Sequence, residues 1–167
     1  MTLVKWQWDL NKSSNKVLIQ GGGCTLLLKE EDYKFRTVVG NTGFQGGKHF
    51  WEIVADSQTE HEMKIGVTKK IDFDLNSAFC DYNFGYAFYG VGQLRHGDNK
   101  AGRAYGRAFK KSGKLGVYLD MENGVLAFSL DGSVFGPAFI DEQLKYGPVF
   151  PSISLLHHAG CKVNTGM

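Results

Sequence analysis

The residues whose types could do chemistry are few and widely spread. His157 and His158 stand side by side, Glu60-His61-Glu62 forms a short triplet, and Asp72, Asp74 and Asp81 share one stretch. The triplet falls short of the His-Glu-x-x-His spacing that places two imidazoles on one helical face for zinc. Adjacent histidines on a strand point to opposite faces, so one ion rarely takes both. Loop acids at these spacings do not set the carboxylate separation that glycoside hydrolysis needs. No Gly-x-Ser-x-Gly elbow occurs, and Ser112, Ser129 and Ser133 have no histidine near them in sequence. Gly90-Val91-Gly92 echoes a phosphate loop but lacks the next glycine and the helix whose N-terminus would hold the phosphate. The expectation is a chain without catalysis, metal or cofactor.

The elements that would position any site are strands. Leu115, Val117 and Leu119 alternate along one run, and Leu126, Phe128 and Leu130 along the next. Each run is followed by a turn pair, Asn123-Gly124 and Asp131-Gly132, whose residues accept the positive φ of two-residue hairpin turns. Further strands are predicted over 6–9, 16–20, 25–29, 35–39, 49–55, 63–67, 86–91, 150–156 and 160–164. A polar loop is expected over 11–15, an irregular aromatic stretch over 70–82, and one helical turn over 141–144. Segment 93–107, with four basic residues and three glycines, reads as a mobile solvated loop over one sheet. Strands at roughly ten-residue intervals with turns between them describe a β-sandwich.

Composition agrees. A chain of 167 residues suits one domain with a sizeable core. With 43% hydrophobic and 22% charged residues, neither disorder nor a membrane span is indicated. No apolar run approaches the roughly 20 residues that cross a bilayer, and no signal segment opens the chain. A net charge of +2, with Lys69-Lys70 and Lys110-Lys111 spaced among acids, is low for a nucleic-acid binder. The three cysteines, 24, 80 and 161, are odd in number and far apart, so buried inert thiols in a cytoplasmic or nuclear protein are expected.

Several blocks then carry a resemblance. Trp8-Asp9-Leu10-Asn11 resembles a Leu-Asp-Pro-type opening, with Leu10 where proline is common. Gly46-Gly47-Lys48-His49-Phe50-Trp51-Glu52-Ile53 resembles a Gly-x-x-Tyr-Trp-Glu-Val block, and Met63-Lys64-Ile65-Gly66-Val67 the strand that follows it. Asn83-Phe84-Gly85-Tyr86 is similar to Ser-Trp-Gly-Tyr, with Phe84 replacing tryptophan. Val117-Tyr118-Leu119-Asp120-Met121-Glu122-Asn123-Gly124 is similar to Leu-Asp-Tyr-Glu-x-Gly, with Met121 replacing tyrosine. The run from Tyr146 to Ser154 resembles the Leu-Tyr-Pro-Ala-Val-Ser stretch. In this order and at these distances, the blocks resemble the SPRY domain, called B30.2 when extended at its N-terminus. Physically most of them are scaffold: Trp51 to fill the gap between sheets, Gly66 and Gly85 for close approach, Asp120 to cap the turn at 122–124.

The resemblance implies a bent, two-sheet antiparallel β-sandwich of the concanavalin or jelly-roll kind, spanning 1–167 as one domain, of a type that commonly sits within larger proteins. It implies a non-catalytic module, monomeric in isolation, whose edge loops bind a short peptide of a partner protein, as in ubiquitin-ligase adaptors and scaffold subunits. Three regions carry over: Arg36-Thr37-Val38, Asn76 to Phe79, and Leu156-His157-His158. Relatives that bind an Asn-rich peptide supply an arginine, an aromatic and a Val-Trp-Gly turn there. Arg36 fits the first and Phe79 roughly the second, whereas His157 stands where tryptophan would be. On plainer readings Arg36 is a surface charge, Phe79 is core, and the histidines are polar loop residues. Two rival readings remain: a glycan-binding lectin stacking sugars on Trp6, Trp8 or exposed tyrosines, and a hydrolase pairing Glu52 with a second acid.

Overall fold

The computed structural model describes residues 5–164 apart from 57, 58, 60, 61, 99, 101 and 110–112, and apart from the side chains of 160, 163 and 164. Glu60 and His61 of the triplet, Lys110-Lys111 and Ser112 therefore lie outside the described residues. Two antiparallel sheets face each other. One has six strands in the order β1 (Trp8–Ser13), β4 (Arg36–Gly40), β12 (Phe150–Leu155), β6 (Lys64–Thr68), β7 (Gly85–Tyr89) and β8 (Gln93–Arg95). The other has seven: β11 (Ser133–Ile140), β10 (Val125–Leu130), β9 (Lys114–Asp120), β5 (Lys48–Ala55), β13 (Ala159–Asn164), β3 (Thr25–Leu28) and β2 (Val17–Gln20).

Strand alternation builds the core. Val38, Ile153, Ile65, Phe88 and Leu94 lie in one register row across the six-stranded sheet. They meet Trp51, Ile53, Leu115, Val117, Leu126 and Phe128 of the opposite sheet in one apolar cluster. Trp51 is 1% exposed, with the Trp6 ring edge-on at 5.7 Å, so it does fill the space between sheets. A Cβ on Gly66 would strike the Tyr86 carbonyl of β7, which is why only glycine serves there.

The row on the other face of the six-stranded sheet is polar: Thr37, Ser154, Lys64, Tyr89 and Gln93 in register. An antiparallel sheet usually turns such a row to water. Here Thr37, Ser154 and Lys64 are buried, because the irregular stretch after β6 folds back over them and seats Phe79 and Cys80 in a second small core with Phe35 and Phe73.

Three expectations need correction. The first strand begins at Trp8 and runs to Ser13, so the predicted loop over 11–15 is largely strand. Segment 93–107 is not a free loop: Gln93–Arg95 pairs with β7, and Leu94 N–H donates to the Arg103 carbonyl at 2.9 Å. The two turn pairs also differ. Asp131 and Gly132 both take positive φ, 50° and 87°, as a two-residue hairpin requires. At Asn123-Gly124 only Gly124 does, in a loop over 121–124 that Asp120 holds by accepting from the Glu122 and Asn123 N–H groups. The expected helical turn is present as a short 3-10 helix, Glu142–Lys145.

Candidate partner-binding edge

Hydrogen bonds bring the three expected regions together on one edge. Arg36 opens β4 directly opposite Leu155, the last residue of β12, so the first and third regions adjoin. The second is sewn onto both. Thr37 N–H donates to the Leu75 carbonyl at 2.8 Å, and Thr37 Oγ1 donates to the Ser77 carbonyl at 2.5 Å. Having spent its only proton, the Thr37 hydroxyl must accept from Ser154 Oγ, 2.7 Å away, and Ser154 Oγ in turn accepts from Phe79 N–H at 3.3 Å. Every polar group in this buried relay has a partner, as burial demands.

The relay leaves a rim. His157 takes φ 56°, which ends β12 and turns its ring onto Tyr33, 4.2 Å between centroids and nearly parallel. His158 sits edge-on to His157 at 4.1 Å. The alternation argument against a shared ion fails here, since the pair lies in a bend rather than a strand. Among the described residues, no group of three potential metal ligands exists at this or any other place. Tyr33 is 67% exposed, and His157 Nδ1 is buried without a hydrogen-bond partner. Asn76 is held at the rim by accepting from Ser14 Oγ at 2.6 Å.

Behind the rim lie three basic residues, two of them paired with carboxylates. Arg36 is buried and clamped by both oxygens of Glu30, at 2.7 and 3.1 Å; that bond, against the desolvation of burial, raises its pKa above the ordinary value. Lys64 is 3% exposed. Its Nζ lies 4.1 Å from the Phe35 ring centroid and 5.2 Å from that of Tyr89, and 3.7 Å from Asp81 Oδ1, an ion pair too long to be a hydrogen bond. Arg95 covers the Tyr89 ring at 4.8 Å. Burial, with Glu62 beside it, pushes the Tyr89 phenol above its ordinary pKa, so it stays a neutral donor at physiological pH.

Of the expected residues, Asn76, Leu156, His157 and His158 keep side-chain surface at this edge. Thr37 and Phe79 do not: both are fully buried, Thr37 in the relay and Phe79 in the small core, so neither can touch a partner through its side chain. Arg36 is neither free surface charge nor an open anchor, since Glu30 occupies it. Sequence reasoning passed over Tyr33, Phe35, Lys64 and Tyr89. Lys64 had a signal, a lysine inside the apolar strand Met63-Lys64-Ile65-Gly66-Val67, which demands a buried partner.

The rival readings lose some of their residues, although Tyr33 and Tyr146 stay exposed. Trp6 and Trp8 are 4% and 2% exposed and cannot stack on a sugar. Glu52 has Gly116 and Asn164 as its register neighbours, so neither flanking strand sets a second acid directly opposite it. Cys80 and Cys161 are buried, and burial pushes the Cys80 thiol up to about 12, far from a reactive thiolate.

Comparison with known proteins agrees with this architecture. The family model of the SPRY domain matches residues 48–167. A curated relative, the ATP-dependent RNA helicase DDX1 of Xenopus laevis, is 32% identical over 126 residues, which are 74% of this chain and 16% of that protein. This chain thus spans a small part of that relative's length. Among solved structures, the SPRY domain of human HERC1 superposes with a TM-score of 0.77 at 17% identity, covering 95% of this chain and 97% of that one. A human SPRY domain gives 0.74 at 15% identity over 92% and 97%, and the TRIM65 PSpry domain 0.76 at 17% over 96% and 90%.

Proposed function

The chain belongs to the SPRY domain family, a family of protein-interaction modules, and from that premise we propose that it binds a short extended peptide of a partner protein at the edge built by β4, β12 and the stretch before β7. The observation that carries this reading is the relay through Ser77, Thr37, Ser154 and Phe79. It fixes three chain segments against one another and leaves Tyr33, His157 and His158 standing on a rigid support. Flat, partly exposed rings at low entropy cost are what anchor a peptide. Delivery of the bound partner to a ubiquitin ligase or a scaffold follows the family pattern and belongs to this proposal. The free thiols Cys24, Cys80 and Cys161 favour an intracellular setting.

A selection of random peptides on the purified protein, run beside a Tyr33→Ala/His158→Ala variant with unchanged melting, tests this. The expected result is a shared motif whose enrichment disappears in the variant. No motif, or one indifferent to the change, overturns the assignment to this edge.

A further inference from the structure

A second surface lies where the two sheets part. β8 ends one sheet and β11 ends the other, and between them runs a groove of about 440 Å3. Arg95, Lys100 and Arg103 line it with Asp98 as the one carboxylate, and Phe139 and Ile140 form its apolar wall. The described lining thus carries a surplus of two positive charges, enough to favour an acidic ligand.

The cations stand on fixed backbone. Tyr105 N–H donates to the Gly92 carbonyl at 3.0 Å, and a Cβ on Gly102 would strike the Leu94 carbonyl, so the chain at 102–105 is pressed against β8. Arg103 spans the gap and donates to the Ala138 carbonyl of β11 at 2.7 Å. His96 is held by its stack on Tyr86 at 4.1 Å and by donating from Nδ1 to the Gly85 carbonyl at 2.8 Å. Opposite them Ile140 is 75% exposed, an unusual outlay of a large branched side chain beside a charged wall.

From this pairing we infer that the groove docks an extended acidic segment of a partner protein, in which acidic residues alternate with large apolar ones. An extended chain repeats every two residues, so its acids can face Arg95, Lys100 and Arg103 while its apolar side chains cover Phe139 and Ile140. A nucleic acid fits less well. It carries a charge at every phosphate, which Asp98 opposes, and it favours a longer cationic track with open stacking rings. The surface is distinct from the loop edge, although Arg95 touches both through Tyr89.

Fluorescence anisotropy on the whole chain decides the matter, with three labelled probes: a peptide alternating glutamate and leucine, its glutamine–leucine counterpart, and an oligouridylate of matched length. The glutamate peptide should bind, weaken with salt, and lose about tenfold in affinity on Lys100→Glu and again on Arg103→Glu, while Tyr33→Ala leaves it unchanged. The other two probes should bind the parent at least about tenfold more weakly. Lys100 is exposed, so its reversal decides alone if Arg103→Glu fails to fold. No binding of the glutamate peptide, equal binding of the glutamine peptide, tighter binding of oligouridylate, or indifference to Lys100→Glu overturns the inference.

Discussion

Lys64 and Asp81 form an asymmetric pair, and the two ways of breaking it should differ. The lysine is buried under Phe35 and Tyr89, whereas the Asp81 side chain keeps 30% of its surface. Asp81→Asn leaves an uncompensated ammonium inside and should cost about 2 kcal/mol. Lys64→Met keeps an apolar stem under the same rings and should cost under about 1 kcal/mol, both read from urea unfolding. Asp141 gives a pH signature. Its Oδ1 accepts from Gln143 N–H at 2.9 Å and its Oδ2 from the Tyr86 hydroxyl at 2.8 Å, and the Gln143 bond above all, against partial burial, holds its pKa below the ordinary 3.8. A lowered carboxyl pKa stabilises the fold above the unfolded value and ceases to do so as pH falls through the folded one. Asp141→Ala should therefore cost about 1 kcal/mol at neutral pH, a difference from the parent that closes in acid denaturation below the ordinary carboxyl range. At this scale the sequence was legible where a side chain serves its own turn, as Asp120 does. It was silent on Phe79 and Thr37, because their burial depends on a distant segment folding over them.

Strands with one buried face announced themselves; strands buried twice or barely at all did not. β9 and β10 alternate cleanly, so the hairpins at their ends could be read directly. β4, β6 and β12 are buried at nearly every position, on one face by the opposite sheet and on the other by the stretch before β7, which alternation cannot express. β8 was missed because three residues with one inward leucine, flanked by glycines and charges, look like a loop until β7 pairs with them. Pairing between β6 and β7 depends on Gly66. Gly66→Ala forces the strands apart at the Tyr86 carbonyl and should destabilise by about 3 kcal/mol, with the loss seen in thermal and urea unfolding alike.

Across the molecule, burial on both faces makes the middle of the six-stranded sheet its firmest part. Backbone amides of β4, β12 and β6 should exchange with solvent deuterium only through global unfolding, while those of β2 and β11, the outermost strands of the other sheet, open at lower free energy. Exchange in β12 as fast as in β2 would contradict that ordering. The same architecture has an evolutionary side. The proposed contact residues Tyr33 and His158 lie outside the Thr37–Ser154 relay, so on that proposal the residues that recognise and the residues that fold are different residues. His157 would belong to both sets, because its positive φ narrows the choice to glycine, asparagine, aspartate and histidine. A combinatorial library diversified at 33 and 158 should thus contain mostly well-folded members. If the edge binds as proposed, such a library should yield new specificities by single substitutions, with the scaffold as a frame for selected binders.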